Sequence, residues 1–166
     1  LYINYLKFFN GIRAKHFKNF IGTIDKKPEN TDTNLVIDMK QIFKKFNLSK
    51  NDIFLKVDIE GNEYQILDQI LEYQSFLTGL IIEFHNCEQK LKTIEKFMSN
   101  FDLNLVHIHV NNFGPTNFEN IPTVFELTFS PKKFNLLRGE DEYIFPAKGL
   151  DQPNDKTKID KSLNFF

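Results

Sequence analysis

Three apolar segments of this chain end in residues able to do acid–base or metal chemistry. Ile53–Glu63 reads Ile-Phe-Leu-Lys-Val-Asp-Ile-Glu-Gly-Asn-Glu, an apolar strand with Asp58 and Glu60 at its far end and Gly61 to break it. Leu80–His85 ends in Glu83 and His85, and Leu103–Val110 carries His107 and His109 with Asn111 just beyond. Unpaired carboxylates are costly to bury, so the ends of these strands are expected to face a crevice, a cation or a hydrogen-bond network. Carboxylates and imidazoles in one crevice can form a general acid/base set or hold a divalent cation. Asp58, Glu60, Glu83 and His85 are therefore the candidate catalytic residues. Asp58, Glu83, His85, His107 and His109 are the candidate metal ligands. The plainer reading is that these groups satisfy one another: Glu60 caps the helix that follows, and the histidines hydrogen-bond neighbouring carboxylates. Glu126, inside a further apolar strand, is either a paired buried carboxylate or part of the same crevice.

The elements that must position these residues follow from hydrophobic periodicity. A period of two puts Lys56, Asp58 and Glu60 on one side of the first strand and Leu55, Val57 and Ile59 on the other. Ile66, Leu67, Ile70 and Leu71 form one face of a helix over Asn62–Gln74, with Glu63 in its first turn, where its charge suits the helix dipole. Leu91, Ile94, Met98 and Phe101 mark the next helix, and Thr123–Phe129 is a fourth strand after an Asn-rich loop, Asn111–Pro122. Upstream, Leu1–Phe20 reads as a helix, Phe20–Ile24 as a short strand, and Asp25–Asn34 as a loop. Met39, Ile42, Phe43 and Phe46 predict a helix, with a capping box of Asp38 and Gln41 at its start, and Leu48–Asp52 is a turn. From Pro131 onward Pro, Gly and charged residues predict an irregular wrap. Strand, helix, strand, helix, strand, loop, strand argues for an α/β fold whose sheet is mostly parallel with an antiparallel edge strand. Parallel strands joined by helices send equivalent ends to one edge, which would gather Asp58, Glu60, Glu83 and His85.

Composition limits the alternatives. The chain has 166 residues, 41% hydrophobic and 26% charged, which is one ordinary globular domain: sheet and helices over 1–130, then the wrap over 131–166. A net charge of -1 gives no electrostatic case for nucleic acid or a membrane surface as partner. The single cysteine, Cys87, excludes an internal disulfide and fits a reducing, cytoplasmic setting. It has no basic flank to activate it as a nucleophile. No apolar run approaches the ~20 residues of a membrane span. Nucleophile-elbow, phosphate-loop and zinc-finger spacings do not occur.

The segment Leu55-Lys56-Val57-Asp58-Ile59-Glu60-Gly61-Asn62-Glu63 resembles the Lys-x-Asp-x-Glu-Gly-x-Glu signature of the FkbM-type methyltransferases. Leu80–His85 is similar to that family's Ile-x-Glu-x-His strand. The resemblance continues through His107-Ile-His-Val-Asn-Asn112, Ile121–Phe129 and Leu150-Asp-Gln-Pro-Asn154, and it spans about residues 17–166. It implies a Rossmann-like class I methyltransferase sheet and methyl transfer from S-adenosylmethionine to an oxygen of a small-molecule acceptor such as a sugar. Asp58 and Glu60 would lie at the catalytic edge of that fold's fourth strand, and Glu83 and His85 would end its fifth. A divalent metal holding the acceptor oxygens is compatible with it. The family's glycine-rich cofactor loop has no counterpart here, because Gly11 and Gly22 are isolated. The resemblance therefore implies an N-terminally truncated, partial domain that binds the cofactor poorly by itself. Two further readings stand beside it: a metal-dependent hydrolase using the Asp/Glu/His crevice, and a non-catalytic binding remnant.

Overall fold

Leu80, Ile82 and Phe84 are completely buried, and they alternate with Gly79, Ile81, Glu83 and His85 along the longest strand. The computed structural model describes residues 19–22, 36–46, 53–119, 121–131 and 146–161. Within them run β1 Phe20–Ile21, β2 Val36–Ile37, α1 Met39–Phe46, β3 Ile53–Val57, α2 Leu67–Glu72, β4 Leu77–His85, α3 Cys87–Asn100, β5 Asn104–Val110 and β6 Val124–Ser130. Single 3-10 turns, Glu63–Gln65 and Gln74–Phe76, flank α2. The expected helix before Asn19, the loop Asp25–Asn34, the turn Leu48–Asp52 and the side chain of Phe46 lie outside the described residues.

The fold is α/β with a mixed four-stranded sheet in the order β3-β4-β6-β5. β3 pairs parallel with β4, while β6 runs antiparallel to both β4 and β5. The antiparallel pair expected at one side of the sheet is there, but the reversed strand is not the edge strand. β6 is the inner member and β5 the outer. The helical crossover from β4 to β5 leaves room for one strand between them. By filling it, β6 pairs along both its edges, which satisfies more backbone groups than an edge position would. β1 and β2 form a separate two-stranded parallel sheet, of which Val36–Ile37 was not anticipated from sequence. Gln69 ties this pair to α2: its Nε2 donates to Gly22 O and its Oε1 accepts from Met39 N.

One face of the sheet carries the core. Leu80, Ile82 and Phe84 of β4 pack with Leu127 and Phe129 of β6 beneath Ile66, Leu67 and Ile70 and beneath Ile94 and Phe97 of α3. Phe97 stacks on Phe101 at 5.0 Å, and both meet Phe129 edge-on. Each such side chain is worth roughly 1.5–3 kcal/mol when fully buried, so this aromatic layer anchors α3. Phe97 is more deeply buried than the expected Met98, because Ile94, Phe97 and Phe101 align better with the sheet. Phe43 holds α1 through a stack on Tyr73 at 4.6 Å. The capping box forms as read: Gln41 N donates to Asp38 Oδ1 and Asp38 N to Gln41 Oε1.

The helix expected over Asn62–Gln74 is shorter and interrupted. Ile66 and Tyr73 sit near ψ 0 and 11°, at the sparsely populated margin of the helical region, and cut the segment into a six-residue α-helix between two 3-10 turns. Residues 146–161 contain neither helix nor strand, and the rest of the expected wrap, 132–145 and 162–166, lies outside the described residues. Among the described residues no helix is long and apolar enough to cross a membrane.

Candidate active site at the ends of β3 and β4

β3 stops at Val57, and the chain then turns sharply through two left-handed residues, Glu60 at φ 55° and Gly61 at φ 97°. Glycine suits this conformation and glutamate does not. The two-residue alternation therefore breaks before Glu60, which does not extend the row of Lys56 and Asp58. The turn folds Glu63 back against the strand end, where it is fully buried. Glu63 Oε1 accepts from Ile59 N at 3.3 Å and Gly61 N at 3.0 Å, and it meets His85 Nδ1 at 3.0 Å. An ionised carboxylate only accepts, so Nδ1 donates in this contact, and in the neutral ring Nε2 then carries the lone pair. Glu63 Oε2 is buried and has no hydrogen-bond partner among the described residues. Glu60 does not cap the following helix. Its side chain is largely exposed, with Oε2 3.4 Å from His85 Nε2.

Nε2 points into a cluster of acids. Glu83 Oε1 lies 3.7 Å from it, and ligand atoms of Asp58, Glu83 and His85 all lie within 4.8 Å of one another. Asp58 is exposed, Glu83 is buried and His85 is half-buried. Asn111 Nδ2 donates to Glu83 Oε1 at 2.9 Å, and Asn111 Oδ1 accepts from Phe113 N, so the amide that holds Glu83 is itself held. Tyr64 fixes the backbone at the end of β4, donating its hydroxyl to the His85 carbonyl at 2.7 Å. Burial pushes the Tyr64 hydroxyl far above its ordinary pKa, so it stays a donor. Asn86, directly after His85, has φ 54°. Both β3 and β4 thus run into left-handed non-glycine residues, and Gly61 and Asn86 face each other across the gap. Backbone strain of this kind clusters at working sites.

The cluster opens onto the polar face of the sheet. Register sets Glu83 opposite Glu126 and Glu126 opposite His109, so these side chains share that face. Glu126 is a paired carboxylate, bonded by Lys56 Nζ at 2.9 Å. That bond holds the Lys56 ammonium above its ordinary value, with Asp58 and Glu83 acting in the same direction.

Of the residues predicted from sequence, the structure brings Asp58, Glu60, Glu83 and His85 together. His107 and His109 do not join them: His107 Nε2 bonds Asp151 Oδ1 at 2.7 Å and His109 Nε2 meets Asp160 Oδ2 at 3.4 Å. Both partners lie in the irregular segment 146–161, which is also fastened by reciprocal bonds between Asn112 and Asp155 and by Lys161 Nζ to Gly114 O. Cys87 donates its thiol to Phe84 O, and burial pushes its pKa up to about 12, so it is no nucleophile. Glu63 and Asn111 were missed as site residues. The signal for Glu63 was its place as the last polar position of the Lys-x-Asp-x-Glu-Gly-x-Glu pattern.

Chemically, the arrangement offers one oriented imidazole lone pair ringed by carboxylates. It can take a proton from a hydroxyl, or it can help to bind a cation. Comparison with family models, with curated proteins and with solved structures returns no match for this chain.

Proposed function

We propose that this chain carries the acceptor half of an S-adenosylmethionine-dependent O-methyltransferase, acting on a hydroxyl of a sugar or similar small metabolite. The observation that carries the reading is the Glu63–His85 contact, which aims Nε2 at the gap beyond the parallel strands β3 and β4. Ligands of open α/β sheets bind outside the carboxyl ends of such strands. The choice of methyl donor rests on the resemblance of Lys56–Glu63 and Leu80–His85 to the FkbM-type pattern. In the reaction the acceptor hydroxyl loses its proton to His85 Nε2 or to the Glu60 carboxylate beside it. S-adenosylmethionine, when bound, would supply the methyl group to that oxygen and keep the carbon–sulfur electron pair as a neutral thioether. No external redox partner is needed. Because the donor brings its own leaving group, the protein's task is in-line positioning and proton removal.

Calorimetric titration of S-adenosylmethionine into the 166-residue chain and into any longer form of it tests the reading. Binding by the longer form supports it, and binding by neither contradicts it. In an active form, Asp58→Asn and His85→Gln should each lower kcat by ~100-fold or more; unchanged turnover would remove these residues from the mechanism. The geometry also supports a second reading, metal-dependent hydrolysis, because Asp58, Glu83 and His85 have the donor set of a divalent-cation site.

A further inference from the structure

Four carboxylates converge on a single imidazole. Glu63 binds its Nδ1 edge, Glu60 and Glu83 stand 3.4 and 3.7 Å from Nε2, and Asp58 completes the group. Lys56, on the neighbouring position of β3, is committed to Glu126. One imidazole cannot balance this charge, and part of it is out of water: Glu63 is fully buried and Glu83 nearly so.

Exposed acidic groups often gather without a ligand, and Asp58 and Glu60 alone would be such a case. Two further features separate this cluster from it. His85 is held at Nδ1 by a buried carboxylate, which is how ligating imidazoles are oriented and made more basic. Glu63 Oε2 is buried and has no hydrogen-bond partner among the described residues, so the carboxylate that holds the imidazole is satisfied through Oε1 alone.

We propose that Asp58, Glu83 and His85 Nε2 bind one divalent cation of the Mn²⁺ or Mg²⁺ class. Two oxygens and one imidazole nitrogen suit such an ion. Ligands ~2.1 Å from a metal lie ~3–4.2 Å apart, so a set now within 4.8 Å is close enough to close on one ion by side-chain adjustment. Exposure of Asp58 leaves further coordination positions open to water or to acceptor oxygens. With the cation held, the imidazole lone pair is committed to it, and Glu60 is the carboxylate left to receive the acceptor proton. The binding site itself does not depend on the methyl-transfer reading.

Titration of Mn²⁺ alone into the chain, followed by loss of the free-ion electron paramagnetic resonance signal, tests it. One saturable site is expected. Asp58→Asn, Glu83→Gln and His85→Gln should each weaken it by at least ~10-fold, and Glu63→Gln, acting through the imidazole, by ~10-fold. His107→Gln, on the same face but bonded to Asp151, should leave it unchanged. Circular dichroism of each variant separates loss of the site from loss of the fold, and the isosteric Asp58→Asn change at an exposed position is the variant least able to unfold the chain. No signal loss at millimolar Mn²⁺, or equal loss in all variants, overturns the site. Mn²⁺ binding without S-adenosylmethionine binding by any form would retain the site and overturn methyl transfer. The reverse result would overturn the site and leave His85 as the base.

Discussion

Glu63 Oε1 lies 3.0 Å from His85 Nδ1, and the same oxygen accepts from the backbone of Ile59 and Gly61. One buried carboxylate thus closes the turn after β3 and orients the imidazole at the end of β4. Glu63→Ala would leave two backbone N–H groups and the imidazole without their acceptor, at ~1–3 kcal/mol for each buried orphan. We expect a loss of ~3–5 kcal/mol in urea unfolding, against ~1–2 kcal/mol for Glu63→Gln, which keeps an acceptor oxygen. Equal, small losses for both would show that the carboxylate is not structural.

Glu60 is held at φ 55°, where an L-residue is strained by roughly 1–2 kcal/mol. Glu60→Gly should therefore raise stability by ~0.5–1 kcal/mol, net of the greater freedom glycine has in the unfolded chain. The same change removes a carboxylate 3.4 Å from His85 Nε2. If the chain is catalytic as proposed, it should lower turnover while the midpoint of unfolding rises. A variant that is both more stable and fully active would show that Glu60 has no part in the chemistry.

Cys87 is fully buried, and its thiol is pushed up from 9.0 to about 12 chiefly by burial. It should resist alkylation in the native state near neutral pH and react only on unfolding. Between about 9 and about 12 the unfolded chain loses the thiol proton and the native chain keeps it, so this group lowers stability as pH rises through that window. Cys87→Ala should flatten that part of the stability profile.

Phe129 lies in the aromatic layer against Phe97 and Phe101 and is 1% exposed. Phe129→Ala should cost ~3–5 kcal/mol, read by chemical denaturation. A loss under ~1 kcal/mol would mean that α3 is not anchored as described.

Periodicity made most of this arrangement legible before any coordinates. Leu80–His85 announces a strand, and the carboxylates and imidazole at two strand ends announce a crevice. What stayed hidden depends on backbone conformation or on distant partners. The left-handed turn at Glu60 is invisible to propensity, so Glu63 read as a helix-dipole acid instead of the partner of His85. The interruption of α2 at Ile66 has no Gly or Pro to mark it. His107 and His109 have the alternation of two ligands on one strand, but their actual partners, Asp151 and Asp160, are 44 and 51 residues away. The inner place of β6 is a property of the whole sheet, and local pattern cannot separate it from an edge strand.

Glu63 holds Nδ1 of His85, and Nε2 faces Glu60, Glu83 and Asp58. Long-range ¹H–¹⁵N correlation of the histidine rings, recorded well above the usual imidazole range, reads the tautomer directly. A protonated Nδ1 and a bare Nε2 are expected for His85, with that preference lost in Glu63→Ala. A protonated Nε2 in the unsubstituted chain would contradict it.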